Sequence, residues 1–351
     1  MKELSSPEKK TFGDWAYLAI TKHFRKMNKH EAGVLADQDP EELHEMRIGM
    51  RRLRSAISGF APAIDLPTGA GERNIASVAR NLGRLRDIDV LQETLQKGYY
   101  SDLPKSERKY LDKISQKLAK QRHKALKEAK GTLQGSKYQK LQKSFQNWLK
   151  EPQYQAIASV EVEQVLPDLL LPQISEILLD PAWLVGVKVE GGEIVIPEKL
   201  DRRQVRKILA SQEEKLHKLR KKAKKTRYQM DLFTQFYDHK YQDHLKQVKE
   251  IQKVLGNLQD SFVLKAFLNG FCNNKLEKYL PTLAALLEDK RYQKWQEWQK
   301  CQGYFLNCGN RRDWRLVTCI DKASRRYPIP EVLVSQKLDA LVEVDGEAES
   351  I

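Results

Sequence analysis

The stretch LHEMRIGMRRLRSAISGF, Leu43 to Phe60, can be laid over LHKLRKKAKKTRYQMDLF, Leu216 to Phe233. Both begin with Leu-His, carry an Arg three residues after the His and another seven further on, and end in Phe. The offset between them is 173 residues. Downstream, NLGRLRDIDVLQETL (Asn81 to Leu95) and VLGNLQDSFVLKAFL (Val254 to Leu268) keep that same offset through Leu-Gly, an Asp, Val-Leu and a last Leu. His44 therefore stands 43 residues before Asp87, and His217 stands 43 before Asp260. One offset held by two separate segments points to an internally duplicated unit, and repeats indicate architecture ahead of any local motif.

Each copy reads as helices. In the first, Leu43, Met46, Met50, Leu53 and Ile57 recur at helical spacing and form one apolar stripe. His44, Arg47, Arg51 and Arg54 fall within about 80° of one another on the flank of that stripe. In the second copy Leu216, Leu219, Ala223 and Met230 make the stripe, and His217, Arg220, Lys224 and Arg227 take the flank. Lys215 to Arg227 holds eight Lys or Arg in thirteen residues with no acid, a density at which like charges repel and weaken a helix. A basic row at the edge of a buried stripe points into a groove between packed helices, where a bound anion would relieve the repulsion. Lys218, Lys222 and Lys225 lie round the other side and are expected to face water. The following helix repeats the device, with Arg73, Arg80, Arg84 and Asp87 opposite Ile75, Val78, Leu82 and Leu85. Its counterpart carries Lys246, Lys253, Asn257 and Asp260. Packed together, these helices predict a basic channel or cleft with one carboxylate in each half.

The remaining chain fits an all-α scaffold: two pseudo-symmetric four-helix bundles from an internal duplication, with a short inserted segment between them. The first helical repeat is placed at 11–150, with helices over Phe12 to Lys29, from Asp39-Pro40-Glu41-Glu42 onward, Leu103 to Ala129 and Gln134 to Leu149. The inserted segment, 151–200, is acidic and proline-punctuated. It holds a helix at Glu163 to Leu179 and then VGVKVEGGEIVIP, which turns at Gly191-Gly192 like a short hairpin. No counterpart to it is visible in the other half. The second repeat, 201–327, has helices at Arg202 to Tyr237, Gln242 to Asn269, Tyr279 to Gln299 and Arg312 to Arg325. The acidic tail, 328–351, is expected to be disordered toward its end.

The chain has 351 residues, 40% of them apolar, and a net charge of +15. That content builds a core, and the charge, if gathered on one face, calls for a polyanionic partner. The opening MKELSSPEKK has no apolar h-region, and no stretch approaches the roughly 20 apolar residues that span a bilayer, so a cytoplasmic location and no membrane partner are expected. Cys272, Cys301, Cys308 and Cys319 lack zinc-finger spacing and read as buried free thiols. No metal site and no cofactor are called for.

These paired motifs resemble the CHAD domains, the α-helical domains named for a conserved histidine. The resemblance rests on the two Leu-His segments together with LGRLRDIDVL and LGNLQDSFVL, and covers about Asp14 to Arg326. It implies two four-helix bundles whose basic faces meet at a central pore or groove that binds inorganic polyphosphate, without catalysis by the domain itself and with possible association with polyphosphate granules. The matching positions are His44, Arg47, Arg51 and Arg54, and His217, Arg220, Lys224 and Arg227. Arg73, Arg80, Arg84, Lys246 and Lys253 form a second tier. Arg86 and Asp89 become Gln259 and Phe262 in the second copy, so the halves are not expected to bind equally.

The chemistry of the ligand agrees with this. A phosphate chain offers repeated charge and no bases, and is suited by rows of forked Arg donors and mobile Lys charges. His44 and His217 are either phosphate donors or core-edge histidines bonded to a carboxylate. Asp87 and Asp260 are expected to orient basic side chains. An RNA-binding module is the main alternative, but single-strand readers add exposed aromatics, and Trp295, Trp298, Phe305 and Trp314 lie away from the basic motifs. An adaptor docking on an acidic protein would need apolar hot spots beside the charge. A metal-dependent phosphohydrolase would need gathered carboxylates; Asp87-x-Asp89 offers a pair in one copy only.

Overall fold

The computed structural model describes residues 11–197 and 199–319. The tail at 328–351 and the end of the helix expected to reach Arg325 lie outside the described residues. The chain winds through α1 (Phe12–Lys29), α2 (Glu31–Ala36), α3 (Pro40–Gly59), α4 (Glu72–Gly98), α5 (Lys105–Gln134) and α6 (Ser136–Lys150). It continues as α7 (Val162–Leu178), α8 (Arg202–Phe233), α9 (His239–Phe271), the single turn α10 (Leu276–Tyr279), α11 (Pro281–Leu306) and α12 (Cys308–Cys319). The fold is all-α. The strands described are a two-residue pair, Ile64–Asp65 with Gln153–Tyr154, and the hairpin Lys188–Glu190 with Glu193–Val195. That hairpin turns where the sequence places it, at Gly191 and Gly192, whose φ of 58° and 84° suit glycine.

Local chemistry starts the helices. Thr11 and Asp14 close a capping box on α1, and Asp201 and Gln204 do the same for α8. Asp39 accepts from Glu41 N at the head of α3, with Pro40 in the first helical position. The predicted stripe of α3 is buried: Leu43, Met46, Met50 and Leu53 are at most 3% exposed. It faces Phe12, Ala16, Ile20, Phe24 and Met27 of α1. The two helices approach so closely that a Cβ at Gly49 would come within 2.8 Å of the Met27 amide nitrogen.

Packing follows one order in each half: α1 on α3, α3 on α4 and α4 on α5, then α7 on α8, α8 on α9 and α9 on α11. The segment 151–200, set apart in the sequence, is therefore not set apart in the packing. Its helix α7 buries Val162, Val165, Leu166, Leu170, Ile174 and Ile177 against α8 and α12, in the place that α1 holds against α3. The helix expected at Glu163 to Leu179 is present with Pro167 and Pro172 inside it, and its apolar face gives it a core role. The thiols are free as expected, but only Cys272 is buried, while Cys308 and Cys319 are exposed.

Among the described residues, two zones of contact between the halves stand out. At the C-terminal ends of α3 and α8, Phe60 and Phe233 pack edge to face at 5.4 Å, and Gln229 Nε2 donates to Ser55 O at 3.2 Å. At the far end, Leu95, Tyr99, Leu111 and Ile114 form a second apolar cluster with Leu264, Leu268, Leu276 and Leu283. There the buried Glu107 of α5 accepts from Thr282 N and Leu283 N at 2.9 and 3.1 Å, capping α11 across the boundary. Within the first half, Arg122 of α5 forks onto Asp37 at 2.7 and 2.8 Å and onto Asp89 at 2.7 Å. This holds the Asp37 carboxyl below the usual carboxylate range, through the Arg122 hydrogen bond first.

Arg122→Ala leaves Asp89, 8% exposed, without its cation, and is expected to lower stability by about 2–4 kcal/mol in urea titrations at pH 7. Because the Asp37 pKa is depressed, the wild-type advantage is full above its unfolded value of about 4 and is lost as pH falls further.

Candidate functional site

Between the two contact zones lies a cavity of about 780 Å³ walled by α3, α4 and α8. The helical phase read from the sequence brings Arg47, Arg51 and Arg54 from α3, Arg80 and Asp87 from α4, and Lys224 from α8 onto its wall. Lys221 and Lys225 also line it, and Lys225 does so from the solvent side, 51% exposed as the sequence leads one to expect. Lys222 differs from expectation: its ammonium pairs at 2.7 Å with the buried Asp180.

The crowding has electrostatic consequences. Burial pulls the Lys224 ammonium down to about 7, and Arg51, Arg220, Arg47 and Arg54 add to the effect. Burial also lowers Arg47, with Asp87 opposing. Asp87 and Asp260 are both raised by burial, offset by Arg47 and by Arg220 respectively, and Asp87 raises Asp260 further. The two carboxylates thus sense one another across the boundary between the halves, each beside the first arginine of its own row. By surface area both side chains are exposed, so solvent tempers these shifts. His44 is lowered by burial first and then by Arg86. His217 Nδ1 and Arg220 Nε are shielded from solvent and have no hydrogen-bond partner among the described residues, polar atoms of the kind that a bound anion or water satisfies.

Other members of the candidate set are placed differently. Arg54 is engaged by Glu72 at 2.7 Å at the cavity wall. Arg227 lies beyond Tyr228, and Arg73 and Lys253 are exposed outside the cavity lining. Arg84 turns to Glu128 of α5 at 3.3 Å, and Lys246 is held by Asp243 at 2.7 Å. The Asp87 and Asp89 carboxylates do not converge, because Asp89 faces Arg122. Trp295, Trp298, Phe305 and Trp314 are core residues, at most 1% exposed, and offer no stacking surface.

Three further positions shape this wall. The Tyr228 hydroxyl accepts from Arg51 Nη1 at 2.9 Å, and its ring lies under Arg51 and Arg227 at 5.9 and 5.2 Å. Gly83 and Gly256 are the glycines of the repeated Leu-Gly pair, and each lies beneath the arginine of its half. A Cβ at Gly83 would stand 3.0 Å from Arg47 Nη1, and one at Gly256 3.6 Å from Arg220 Nε. The shared Leu-Gly was the visible signal; its meaning, room for a guanidinium against the neighbouring helix, needed the packing.

A CHAD domain family model matches residues 18–269. Among solved structures, the CHAD domain from the plant Ricinus communis is similar, with 21% identity, a TM-score of 0.50, and coverage of 89% of this chain and 94% of that one. PptA from Streptomyces chartreusis matches with 15% identity and a TM-score of 0.56 over 87% of this chain and 99% of its own. At these identities the two structures speak for the fold. No curated protein matches the sequence.

Gly256→Ala is expected to raise Tm, as a helix interior gains about 0.5–1 kcal/mol from Gly to Ala. Gly83→Ala should stabilise less, because its methyl group displaces Arg47, and should weaken polyanion binding where Gly256→Ala leaves it near wild type. Thermal melts and binding titrations of the two variants check both statements.

Proposed function

The chain belongs to the CHAD domain family, and on that footing we propose that its central cavity binds inorganic polyphosphate. The observation that carries this reading is the cavity wall itself, where Arg47, Arg51, Lys221 and Lys224 of two different helices converge with little carboxylate to neutralise them. Cations forced together at this density are destabilising until an anion arrives, so the ligand with the greatest linear charge and the least additional chemistry suits them best. A phosphate chain is such a ligand. Arg47 and Arg51 supply forked donors to paired oxygens, and Lys224 supplies a point charge between them. His217 and Arg220 continue the row along α8 beyond the cavity lining. No step of bond breaking is assigned to these groups. Organising or targeting the protein to polyphosphate granules is the cellular role that such binding would serve.

Competition binding at physiological salt, with long-chain polyphosphate against single-stranded RNA, duplex DNA and heparin, tests the proposal. Polyphosphate is expected to win by about tenfold or more, equivalent to about 1.4 kcal/mol, and Arg51→Glu with Lys224→Glu should abolish that preference in a folded protein. Equal competition by RNA, or an unaffected variant, would overturn it.

The same wall predicts a pH dependence. Free Lys224 loses its proton near pH 7, whereas a bound polyanion favours the charged form. Above that value binding takes up a proton, so affinity falls as pH rises. Acidification acts in the same sense through Asp87 and Asp260, whose raised pKa values let them neutralise earlier than ordinary carboxylates. Lys224→Arg, charged throughout, should flatten the decline above pH 7 in the same titration.

A further inference from the structure

A second chamber, of about 540 Å³, lies behind the central cavity, between α1, α3, α8 and α9. Ser55 and Tyr228 belong to the walls of both, so the Tyr228 ring is the partition. Unlike the central cavity, this chamber is two-sided in character. One part is apolar and aromatic, built by Trp15, Leu18, Phe60 and Leu232. The other is cationic. Arg227 and Lys249 both approach Asp231, at 3.5 and 3.2 Å, while Lys22 and Arg52 form no ion pair among the described residues.

At the wall sits His23, 7% exposed, whose Nδ1 has no hydrogen-bond partner among the described residues. Burial first, then Arg52 and Lys22, lower its pKa to about 4, so the ring is neutral at pH 7 and carries one acceptor and one donor nitrogen.

An inorganic phosphate chain would make no use of an apolar wall, and a purely apolar ligand would make no use of Lys22 and Arg52. A molecule with a flat ring at one end and phosphates at the other uses both. The volume is within the roughly 300–1,000 Å³ of small-molecule sites. We propose that this chamber binds a nucleoside phosphate, with its base against Trp15 and Leu18 and its phosphates toward Lys22 and Arg52.

Because Tyr228 contacts Arg51 on one side and Arg227 on the other, nucleotide in this chamber and polyphosphate in the central cavity change each other's affinity by an equal factor. That coupling rests on the polyphosphate reading; nucleotide binding itself does not.

Calorimetric titration of the full chain with ATP, adenosine and inorganic tripolyphosphate tests the site without polyphosphate present. ATP is expected to bind at least about tenfold more tightly than either fragment. Trp15→Leu and Arg52→Gln should each weaken ATP by about tenfold, and Lys224→Glu should leave ATP binding in place while it removes polyphosphate binding. Tripolyphosphate binding as tightly as ATP, no ATP binding, or ATP lost in Lys224→Glu but kept in Trp15→Leu would overturn the proposal. Photolabelling of the wild-type protein with an azido analogue of ATP is independent of variant folding. Label within residues 12–29, 52–60, 227–235 or at Lys249 supports the site, and label confined to other segments overturns it. Loss of the polyphosphate preference in the competition assay, with these results intact, would remove the coupling and leave the chamber standing.

Discussion

Like charges held side by side against their repulsion set the terms for the rest of this molecule. Arg47, Arg51, Arg54 and Arg220 all press on Lys224, and burial alone already disfavours its charge. Such a cluster does not hold itself together. It is kept in place by what flanks it: the Phe60–Phe233 contact and the Gln229 hydrogen bond at one end, and the leucine cluster with the Glu107 cap at the other. Between these zones the backbone is fixed by helices whose opposite faces are core, so the cations have nowhere to relax except outward into the cavity. Hydrophobic burial, at about 25 cal/mol per Å², is thus what allows an electrostatically unfavourable wall to persist in the free protein.

The two halves share this device and differ around it. At one matching pair of positions, the first half has Asp89 and the second Phe262. The structure gives both the same task of receiving an arginine from a later helix of their own half. Asp89 takes Arg122 as an ion pair at 2.7 Å, and Phe262 takes Arg291 over its ring at 4.8 Å, with Ser261 accepting from Arg291 as well. The exchange of a carboxylate for an aromatic ring therefore concerns how α4 and α9 are tied to their neighbours. Asp87, which lines the cavity, has its counterpart in Asp260 of the second half.

Tyr228 connects the two chambers because it is the place where α3 and α8 come together. Its hydroxyl accepts from Arg51 and its ring underlies Arg227. Anything that shifts this ring alters a cation on each side. The chambers differ in what their other walls contain, and this difference, rather than charge, separates their proposed ligands. A wall of arginines and lysines suits repeated phosphate, and a wall with Trp15 and Leu18 opposite Lys22 and Arg52 suits a base joined to phosphate.

The sequence by itself determined the helices, the phase of their apolar stripes and the identity of the basic rows, because helical periodicity and caps such as Asp39-Pro40 act over a few residues. It also located the hairpin at Gly191-Gly192, where positive φ selects glycine. It could not decide which flank of a row meets a partner helix. Arg84 and Arg80 differ by four residues on α4, yet one pairs with Glu128 and the other lines the cavity; Lys222, expected to face water, pairs with the buried Asp180. It set α7 aside because acidity and proline obscured an apolar face whose partner, α8, lies more than twenty residues further on. Only the tertiary structure decided those matters, along with the role of the repeated Leu-Gly and the existence of the second chamber, since contacts between segments such as Arg51 and Tyr228, 177 residues apart, depend on how whole helices cross and leave no local trace in either one.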